Sequence, residues 1–131
     1  MKLPRILTIS VIVLCSQSLS MDLSYLQGVD IRVGQITNIE DIRKSSTQLS
    51  YKVAVHLGEL GVKQAVVCPE FRNGYTKEAL LNKYVLCIVN APAKQIFSVH
   101  SEVIVLGVSG PDNSCILATI DRPVALGAKL Y

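Results

Sequence analysis

Short stretches in which apolar and polar residues alternate recur along the chain, and this period of two predicts β-strands. In the second stretch, Tyr51, Val53 and Val55 fall on one face, and the residues between them fall on the other. Gly34 lies in the middle of the first stretch and suggests a bulge or sharp bend, which a small barrel needs in order to curl. The predicted strands, in chain order, are residues 29–39, 49–57, 62–68, 83–89, 102–108 and 115–120.

Turn and capping residues separate these stretches. The sequence Gly-Glu-Leu-Gly at 58–61 predicts a tight connection between the second and third strands, which would form a hairpin. One helix is predicted between the third and fourth strands, at 76–81, where Thr76 can cap the first turn and Glu78 lies near its positive end. Asn82 follows, and asparagine commonly ends a helix.

The order of the predicted elements indicates the fold class. Five or six short strands, with one short helix between the third and fourth, follow the order found in an OB-fold, a partly open five-stranded Greek-key barrel. Periodicity alone indicates only a small barrel or sandwich. Residues 22–26 (DLSYL) read as an N-capped helical turn before the first strand. We therefore expect an all-β chain: an OB-fold barrel with a short helix between strands 3 and 4 and a short N-terminal helix.

Residues 1–20 differ from this pattern and allow two interpretations. Lys2 and Arg5 precede a short, uncharged apolar run, which is shorter than the roughly 20 residues of a membrane-spanning helix, so no membrane insertion is expected. The proportions are those of a signal peptide, and the protein would then be secreted. Alternatively, residues 1–20 are an upstream extension of the reading frame, and a cytoplasmic domain of residues 21–131 starts at Met21. The methionine at this junction favours the second interpretation.

The charge balance depends on the same choice. The chain has 13 Lys and Arg residues against 10 Asp and Glu residues, which gives a net charge of +3; without Lys2 and Arg5 the basic count is 11 and the net charge is +1. Little global attraction to nucleic acid then remains. Any such binding must therefore use a local basic patch.

The cysteines indicate a reducing compartment. Cys15 lies within the first twenty residues, and Cys68, Cys87 and Cys115 lie in or beside apolar runs. Three cysteines in the body of the chain are an odd number for a secreted disulfide framework, but cysteines are common in the cytosol as small buried hydrophobic residues. No C-x-x-C pair occurs and neither histidine lies at ligand spacing to a cysteine, so no metal or other cofactor is expected.

The sequence contains no arrangement typical of catalysis. It has no G-x-S-x-G elbow, no G-x-x-x-x-G-K loop and no G-x-G-x-x-G loop. His100 and Ser101 are neighbours, and adjacent side chains on a strand point to opposite faces, so the two would not converge there. We therefore expect a binding protein and not an enzyme.

Candidate binding residues lie in one charged stretch and among a few aromatic side chains. Glu40 and Asp41 are followed by Arg43 and Lys44, and we expect this stretch to be a solvated loop between two strands. Loops between the early strands of OB-folds commonly contact nucleic acid, which makes Arg43 and Lys44 candidate RNA-binding residues. Phe97 is the best candidate for an exposed ring. Aromatic residues are few, however, so recognition of a particular folded RNA or of a peptide is favoured over sequence-blind single-strand binding.

Five segments resemble one known family, the tRNA-binding OB-domain family. Residues 29–36 (VDIRVGQI) resemble the opening strand of that family, which includes domains appended to methionyl-tRNA synthetases and free-standing tRNA-binding proteins. The other four segments are similar to its CsaA-like branch and follow in order: 57–64 (LGELGVKQ), 90–96 (NAPAKQI), 101–107 (SEVIVLG) and 121–130 (DRPVALGAKL).

The resemblance implies a homodimeric OB-fold protein that binds tRNA without catalysis. The alternative that it implies is an export-related chaperone, which holds unfolded preprotein segments in the same groove or contacts the export machinery. Lysines in the groove would meet phosphates, and Ser101 and Glu102 could hydrogen-bond the edge of an unstacked base. By position, the groove residues that the resemblance implies are Lys63, Gln64, Asn90, Lys94, Ser101 and Glu102.

Two departures from the branch make the expected groove less polar. Ala91 and Ala93 stand where the branch usually has a second proline and an aromatic or basic residue. Residues 65–68 (AVVC) replace a run that is usually rich in serine. Both changes weaken the tRNA interpretation and slightly favour a peptide ligand.

Overall fold

The computed structural model describes residues 28–43 and 47–131. Three expectations fall outside these residues: the leader or extension at 1–20, the short N-terminal helix at 22–26, and the position of Lys44.

Strands make up most of the regular structure in the described residues. The helical segments are short: a 3₁₀ turn at Gly58–Leu60, α1 at Phe71–Gly74 and α2 at Lys77–Leu80. No helix in this part of the chain is long and apolar enough to cross a membrane. The strands are β1 Ile31–Arg43, β2 Leu49–His56, β3 Val62–Val66, β4 Tyr84–Ile88, β5 Lys94–Ile96, β6 Val99–Ser101, β7 Ile104–Val105, β8 Gly107–Ser109 and β9 Cys115–Leu117.

Five of these strands form one antiparallel sheet in the order β3-β2-β1-β4-β7. β1 is long enough to serve two neighbours, since residues 31–35 pair with β4 and residues 35–43 pair with β2. Because β1 pairs on opposite sides along its two halves, the sheet curls into a half-barrel. The remaining strands form two hairpins, β5–β6 and β8–β9. The expected all-β, OB-like fold class is confirmed.

The irregularity in β1 lies just beyond its glycine. The register between β1 and β2 shifts between Ile36 and Asn38. The prediction of a bulge at Gly34 itself is therefore wrong, because the irregularity begins two residues later. At Gly34 a Cβ atom would clash with Val55 and would lie 2.9 Å from Leu57 Cδ2. The glycine is required because two buried side chains pack directly over the strand at this point.

The hairpin and the helix predicted from turn and capping residues are both present. β2 and β3 pair in antiparallel register on either side of the 3₁₀ turn. At α2, the Thr76 hydroxyl accepts a hydrogen bond of 3.1 Å from the amide of Ala79, which is the expected N-cap. Asn82 follows the helix in a left-handed conformation with a φ of 68°, and its amide donates to the carbonyl of Ile36 at 2.8 Å.

Other segments differ from the sequence expectation. The strand expected at 102–108 is divided into β7 and β8, and between them the amide of Leu106 donates to the carbonyl of Leu86 at 2.9 Å. The sequence predicts neither α1 nor the β5–β6 hairpin. Each of these elements contains only three or four residues, which is too few to show a period.

Glu40 and Asp41 lie within β1, so the loop expected for them is wrong, although both side chains are about half exposed to solvent as expected. Asp41 accepts hydrogen bonds from Arg72 at 2.5 Å and from Lys77 at 2.9 Å. The bond from Lys77, followed by that from Arg72, holds the pKa of Asp41 below its ordinary value. Glu40 forms an ion pair of 3.3 Å with Lys52 on β2. This charged stretch therefore joins α1 and α2 to the sheet.

The core lies inside the curl of the sheet. Phe71 of α1 and Leu80 of α2 are each 1% exposed and cover one side of it. Cys87 of β4 is fully buried, and burial raises the pKa of its thiol to about 12. Cys68 is exposed, so the expectation that the cysteines act as buried hydrophobic residues holds for Cys87 and is wrong for Cys68. The buried core residues are Ile36, Tyr51, Val53, Val55, Leu57, Ala65, Val67, Phe71, Leu80, Val85, Cys87, Val103 and Leu117.

Candidate functional site

Six of the eight candidate residues, from three separate segments of the chain, come together along the outer edge of β3. A first depression, of about 400 Å³, is lined by Lys63, Asn90 and Glu102 among others. A second, of about 470 Å³, is lined by Lys94, Ser101 and Glu102. Because Glu102 lines both, the two depressions form one continuous surface, which we call the groove.

Gln64, the sixth candidate, is joined to Glu102 by two hydrogen bonds. The amide of Glu102 donates to the carbonyl of Gln64 at 2.8 Å, and the amide of Gln64 donates to the carboxylate Oε1 of Glu102 at 3.2 Å. The side-chain amide of Gln64 also donates to the carbonyl of His100 at 3.3 Å. One carboxylate oxygen of Glu102 thus binds the edge of β3, and among the described residues the other accepts no hydrogen bond.

Ser101 is 7% exposed and binds the edge of β3 beside Glu102. Its hydroxyl accepts a hydrogen bond of 3.1 Å from the amide of Val66 and donates to the carbonyl of Val103 at 3.4 Å. A hydroxyl has one donor and two acceptor positions, so only one acceptor position remains for a base. The structure therefore gives Ser101 a structural role in addition to the binding role expected of it.

Replacing Ser101 with alanine is expected to lower the free energy of unfolding by about 1–2 kcal/mol, because the Val66 amide would lose its partner. Denaturant titration measures this loss. Ser109→Ala, at an exposed serine of β8, is the matched control and should change stability by less than about 0.5 kcal/mol. Equal stability of the two variants would contradict the structural role of Ser101 at the edge of β3.

Asn90 is exposed, yet both polar ends of its side chain bind the segment that precedes β1. Its Oδ1 accepts from the amide of Asp30 at 2.9 Å, and its Nδ2 donates to the carbonyl of Gly28 at 2.6 Å. The amide of Val89 adds a bond of 2.9 Å to the carbonyl of Asp30. Asn90 therefore positions the chain that enters β1, at one end of the groove.

Asp30 also lines the first depression, although sequence reasoning does not select it. Arg32 Nε donates to Asp30 Oδ1 at 2.7 Å, and Arg32 Nη1 donates to the carbonyl of Gly127 at 3.0 Å. The hydrogen bond from Arg32 holds the pKa of Asp30 below its ordinary value. The spacing Asp-x-Arg places both side chains on one side of an extended chain, and this is the signal that could have identified the pair.

Lys63 and Lys94 are the lysines of the groove. Lys63, on β3, is half-buried in the first depression, and Lys94, at the start of β5, is exposed at the second. Within residues 28–43 and 47–131, neither lysine forms an ion pair with a carboxylate. Asp30 and Glu102 add negative charge, so the groove carries both signs of charge.

Arg43 lies apart from the groove. It is the exposed last residue of β1, opposite Leu49 of β2, and it lines neither depression. Lys44, the eighth candidate, lies outside the described residues. Leu49 belongs instead to a third depression, of about 400 Å³, which is lined by Thr47, Gln48, Leu49, Pro69 and Phe97.

The second depression is mostly apolar. Such a lining can bury an aliphatic or aromatic group of a ligand, while Lys94 offers a positive charge at its rim. Among the residues that the structure describes, no group of three His, Cys, Asp or Glu side chains could hold a metal ion. The apolar lining residues are Val66, Val67, Ala91, Pro92, Ile96, Val103, Ile104 and Val105.

A curled five-stranded sheet with an open groove that carries lysines defines the class of protein, an OB-like binding domain. The family model described as "Putative tRNA binding domain" matches residues 31–129. The chain belongs to this family of tRNA-binding domains.

Individual relatives agree with the family. The methionine–tRNA ligase of Methanococcus vannielii is 32% identical over 111 residues, which are 85% of this chain and 16% of the ligase. The chain thus spans a small part of the length of that enzyme. Two solved structures match over 85% of this chain: the CsaA chaperone protein from Picrophilus torridus, at 31% identity and a TM-score of 0.74 over 99% of its chain, and the chaperone CsaA from Bacillus anthracis, at 25% identity and a TM-score of 0.76 over 98% of its chain. The resemblance to the tRNA-binding family and its CsaA-like branch is confirmed.

Proposed function

We propose that the protein binds tRNA without catalysing a reaction on it, and that the RNA lies in the groove along β3. In this proposal the protein recognises the phosphate backbone and the shape of the tRNA. The observation that supports it most is the meeting of residues from β3, from the segment at 90–94 and from its hairpin partner at 101–102 on one groove, in a chain that belongs to the tRNA-binding domain family.

The charges of the groove suggest how an RNA strand would lie in it. Lys63 and Lys94 belong to the two depressions on either side of Glu102, so each could contact a different phosphate of one strand. The free carboxylate oxygen of Glu102, between them, could accept a hydrogen bond from an amino group of an unstacked base. Two local cations suit a chain whose net charge is +3, or +1 without residues 1–20, because either value provides only modest long-range attraction.

Titration with bulk tRNA at 50 mM and 200 mM salt tests the proposal. The affinity of the wild-type chain should fall steeply with salt, because each phosphate contact releases counterions. Lys63→Ala and Lys94→Ala should each weaken binding and reduce the slope of log K against log salt by about 0.7–0.9, the value for one phosphate.

Lys83→Ala is the matched control for these two variants. Lys83 is an exposed lysine just before β4 and lines neither depression, so its loss removes the same charge away from the groove. Its affinity and salt slope should match those of the wild type. Absence of binding at 50 mM salt, or equal losses in all three variants, would contradict the proposal.

Peptide holding is the second candidate function, and the apolar second depression favours it. The solved relatives are named as CsaA chaperones, and unfolded preprotein segments or export machinery would be the corresponding partners here. Peptide burial against apolar side chains should respond little to salt, in contrast to phosphate binding. The same titration, with an unfolded apolar peptide in place of tRNA, separates the two functions.

The proposal includes a homodimer in the cytoplasm. Val108 and Ile116 pair directly in the β8–β9 hairpin and are 59% and 38% exposed, so they offer an apolar patch to a second copy. Sedimentation equilibrium measures the mass in solution, and cell fractionation measures the location.

A further inference from the structure

The tip of the β5–β6 hairpin holds a bulky aromatic residue in a backbone conformation that favours glycine. Phe97 and Ser98 connect Ile96 to Val99, which are cross-strand partners, so the connection has two residues. Phe97 has a φ of 55°, and Ser98 has no positive φ. This pattern is that of a type II′ turn, whose first central position is normally glycine. A strained residue of this kind suggests that the side chain has a function.

The ring of Phe97 is half-buried and lines the third depression. Leu49 and Pro69 provide apolar walls there, and Gln48 provides a side-chain amide. An aromatic ring stacks on any base through its face, and an amide can donate to and accept from the base edge. The depression therefore combines the two kinds of contact by which proteins hold an unpaired base.

The β5–β6 hairpin connects the groove to this ring. Its base is fixed to β3 by the bond between Ser101 and the amide of Val66. From there β6 runs antiparallel to β5, and the tip comes to lie beside Pro69, just beyond the end of β3. An RNA strand that leaves the second depression along the hairpin would therefore meet Phe97.

Arg43 supplies the charge at this end of the protein. It lies opposite Leu49, which lines the third depression, and it forms no ion pair with a carboxylate among the described residues. A guanidinium in this position can contact the phosphate of a nucleotide whose base occupies the depression. A nucleotide would use both this charge and the Gln48 amide, whereas an apolar peptide side chain would use neither, so a nucleotide fits the depression better.

We propose that the third depression binds one unpaired nucleobase of the bound RNA, with Phe97 as the stacking residue and Arg43 as the phosphate contact. This inference rests on the proposed function and deepens it. The groove would hold the backbone and shape of the tRNA, and the third depression would hold a single base that is not paired, such as one in a loop or at an end.

Phe97→Gly tests the stacking contact. The affinity for bulk tRNA should fall about 5-fold or more, whereas the salt slope should not change, because no charge is removed. The melting temperature should not fall, since glycine adopts the φ of this turn without strain. Phe97→Tyr keeps a ring and should retain the affinity of the wild type. Tyr131→Ala, which removes a fully exposed ring at the C-terminus, is the control.

A fluorescence measurement tests the nature of the occupant. The chain contains no tryptophan, so Phe97→Trp introduces a single reporter at the site. Titration with a six-nucleotide oligoadenylate should quench this tryptophan by stacking, and a fully paired RNA duplex should not. Quenching by the duplex alone, or by an apolar peptide and not by the oligoadenylate, would overturn the assignment of an unpaired base.

The outcomes separate this inference from the proposed function. If Lys63→Ala and Lys94→Ala weaken tRNA binding but Phe97→Gly does not, the groove remains a tRNA site and the base site is refuted. If the wild-type chain binds no tRNA at 50 mM salt, both the proposed function and the base site are refuted. A loss in Phe97→Gly with an unchanged salt slope and an unchanged melting temperature supports the base site.

Discussion

Gly58→Ala is expected to destabilise the domain by about 3 kcal/mol, which corresponds to a fall in melting temperature of roughly 12 °C or more. Gly58 begins the 3₁₀ turn between β2 and β3 with a φ of 65°, where an alanine costs about 1–2 kcal/mol. A Cβ atom there would also clash with the backbone carbonyl of Leu126. A backbone atom cannot move aside as a flexible side chain can, so a further loss of about 1–3 kcal/mol is expected.

The contact at Gly58 joins two distant parts of the chain. Gly127 has a φ of 90°, and a Cβ atom there would lie 2.7 Å from the carbonyl oxygen of Leu57. The backbones at 57–58 and 126–127 therefore touch, and a glycine on each side makes the approach possible. Leu57 is fully buried and lines the first depression, so loosening this contact should also weaken tRNA binding by the folded protein.

Gly61→Ala is a companion variant to Gly58→Ala, since it introduces backbone strain without a close contact. Gly61 ends the same turn with a φ of 84°, but nothing lies within 4 Å of a Cβ atom there. Only the backbone strain remains, but with a φ of 84° and a ψ of −165° Gly61 lies in a region essentially restricted to glycine, so the expected loss is about 1–3 kcal/mol. Thermal unfolding of both variants measures the difference. If Gly58→Ala lost no more than the roughly 1–2 kcal/mol expected from its positive φ alone, the close approach of the C-terminal segment would have no energetic importance.

The turn that contains these glycines illustrates what the sequence can predict. Alternation over eight or more residues identified β1 and β2, and the Gly-Glu-Leu-Gly sequence identified the hairpin. Thr76 identified the start of α2, since capping depends only on residues close in the chain. These signals depend only on residues close together in the chain, so they can be recognised without knowledge of the fold.

Elements that depend on distant partners were not predictable in the same way. The two-residue strand β7 is defined by pairing with β4, and its own sequence gives no sign of where it ends. α1 is held by the bond from Arg72 to Asp41, two residues 31 positions apart. The same bond explains why Asp41 resembled a loop residue, because a charged strand residue with a distant partner cannot be told from a solvated one by sequence alone.

The candidate site shows the same division. The resemblance of short motifs brought Lys63, Lys94 and Glu102 to attention, and the structure places them on one groove. It did not reveal that the polar ends of Asn90 are occupied by the chain before β1, since that contact spans 60 residues or more. Sequence thus indicated which residues meet, and only the structure shows which polar groups remain available to a ligand.

Phe71→Ala is expected to lower the free energy of unfolding by about 3–5 kcal/mol. Phe71 is 1% exposed, and its ring lies 6.2 Å from that of Tyr75, measured between centroids. A Cβ atom at Gly107 would lie 2.7 Å from Phe71 Cζ, which shows how closely β8 packs against the ring. Removing the ring would leave a cavity between α1 and the β8–β9 hairpin, which the short surrounding elements cannot easily fill.

The chain has two phenylalanines, and the second gives the control. Phe97→Gly removes a ring from a half-buried position with a φ of 55°, and there the gain from relieving the backbone offsets the lost contact, so stability should not fall. Denaturant titration measures the stability of both variants, and tRNA titration measures their affinity under conditions where each variant is folded. The results should be opposite: Phe71→Ala loses stability and keeps affinity, whereas Phe97→Gly keeps stability and loses affinity. Loss of stability in both would place Phe97 in the core and contradict its role as a stacking residue.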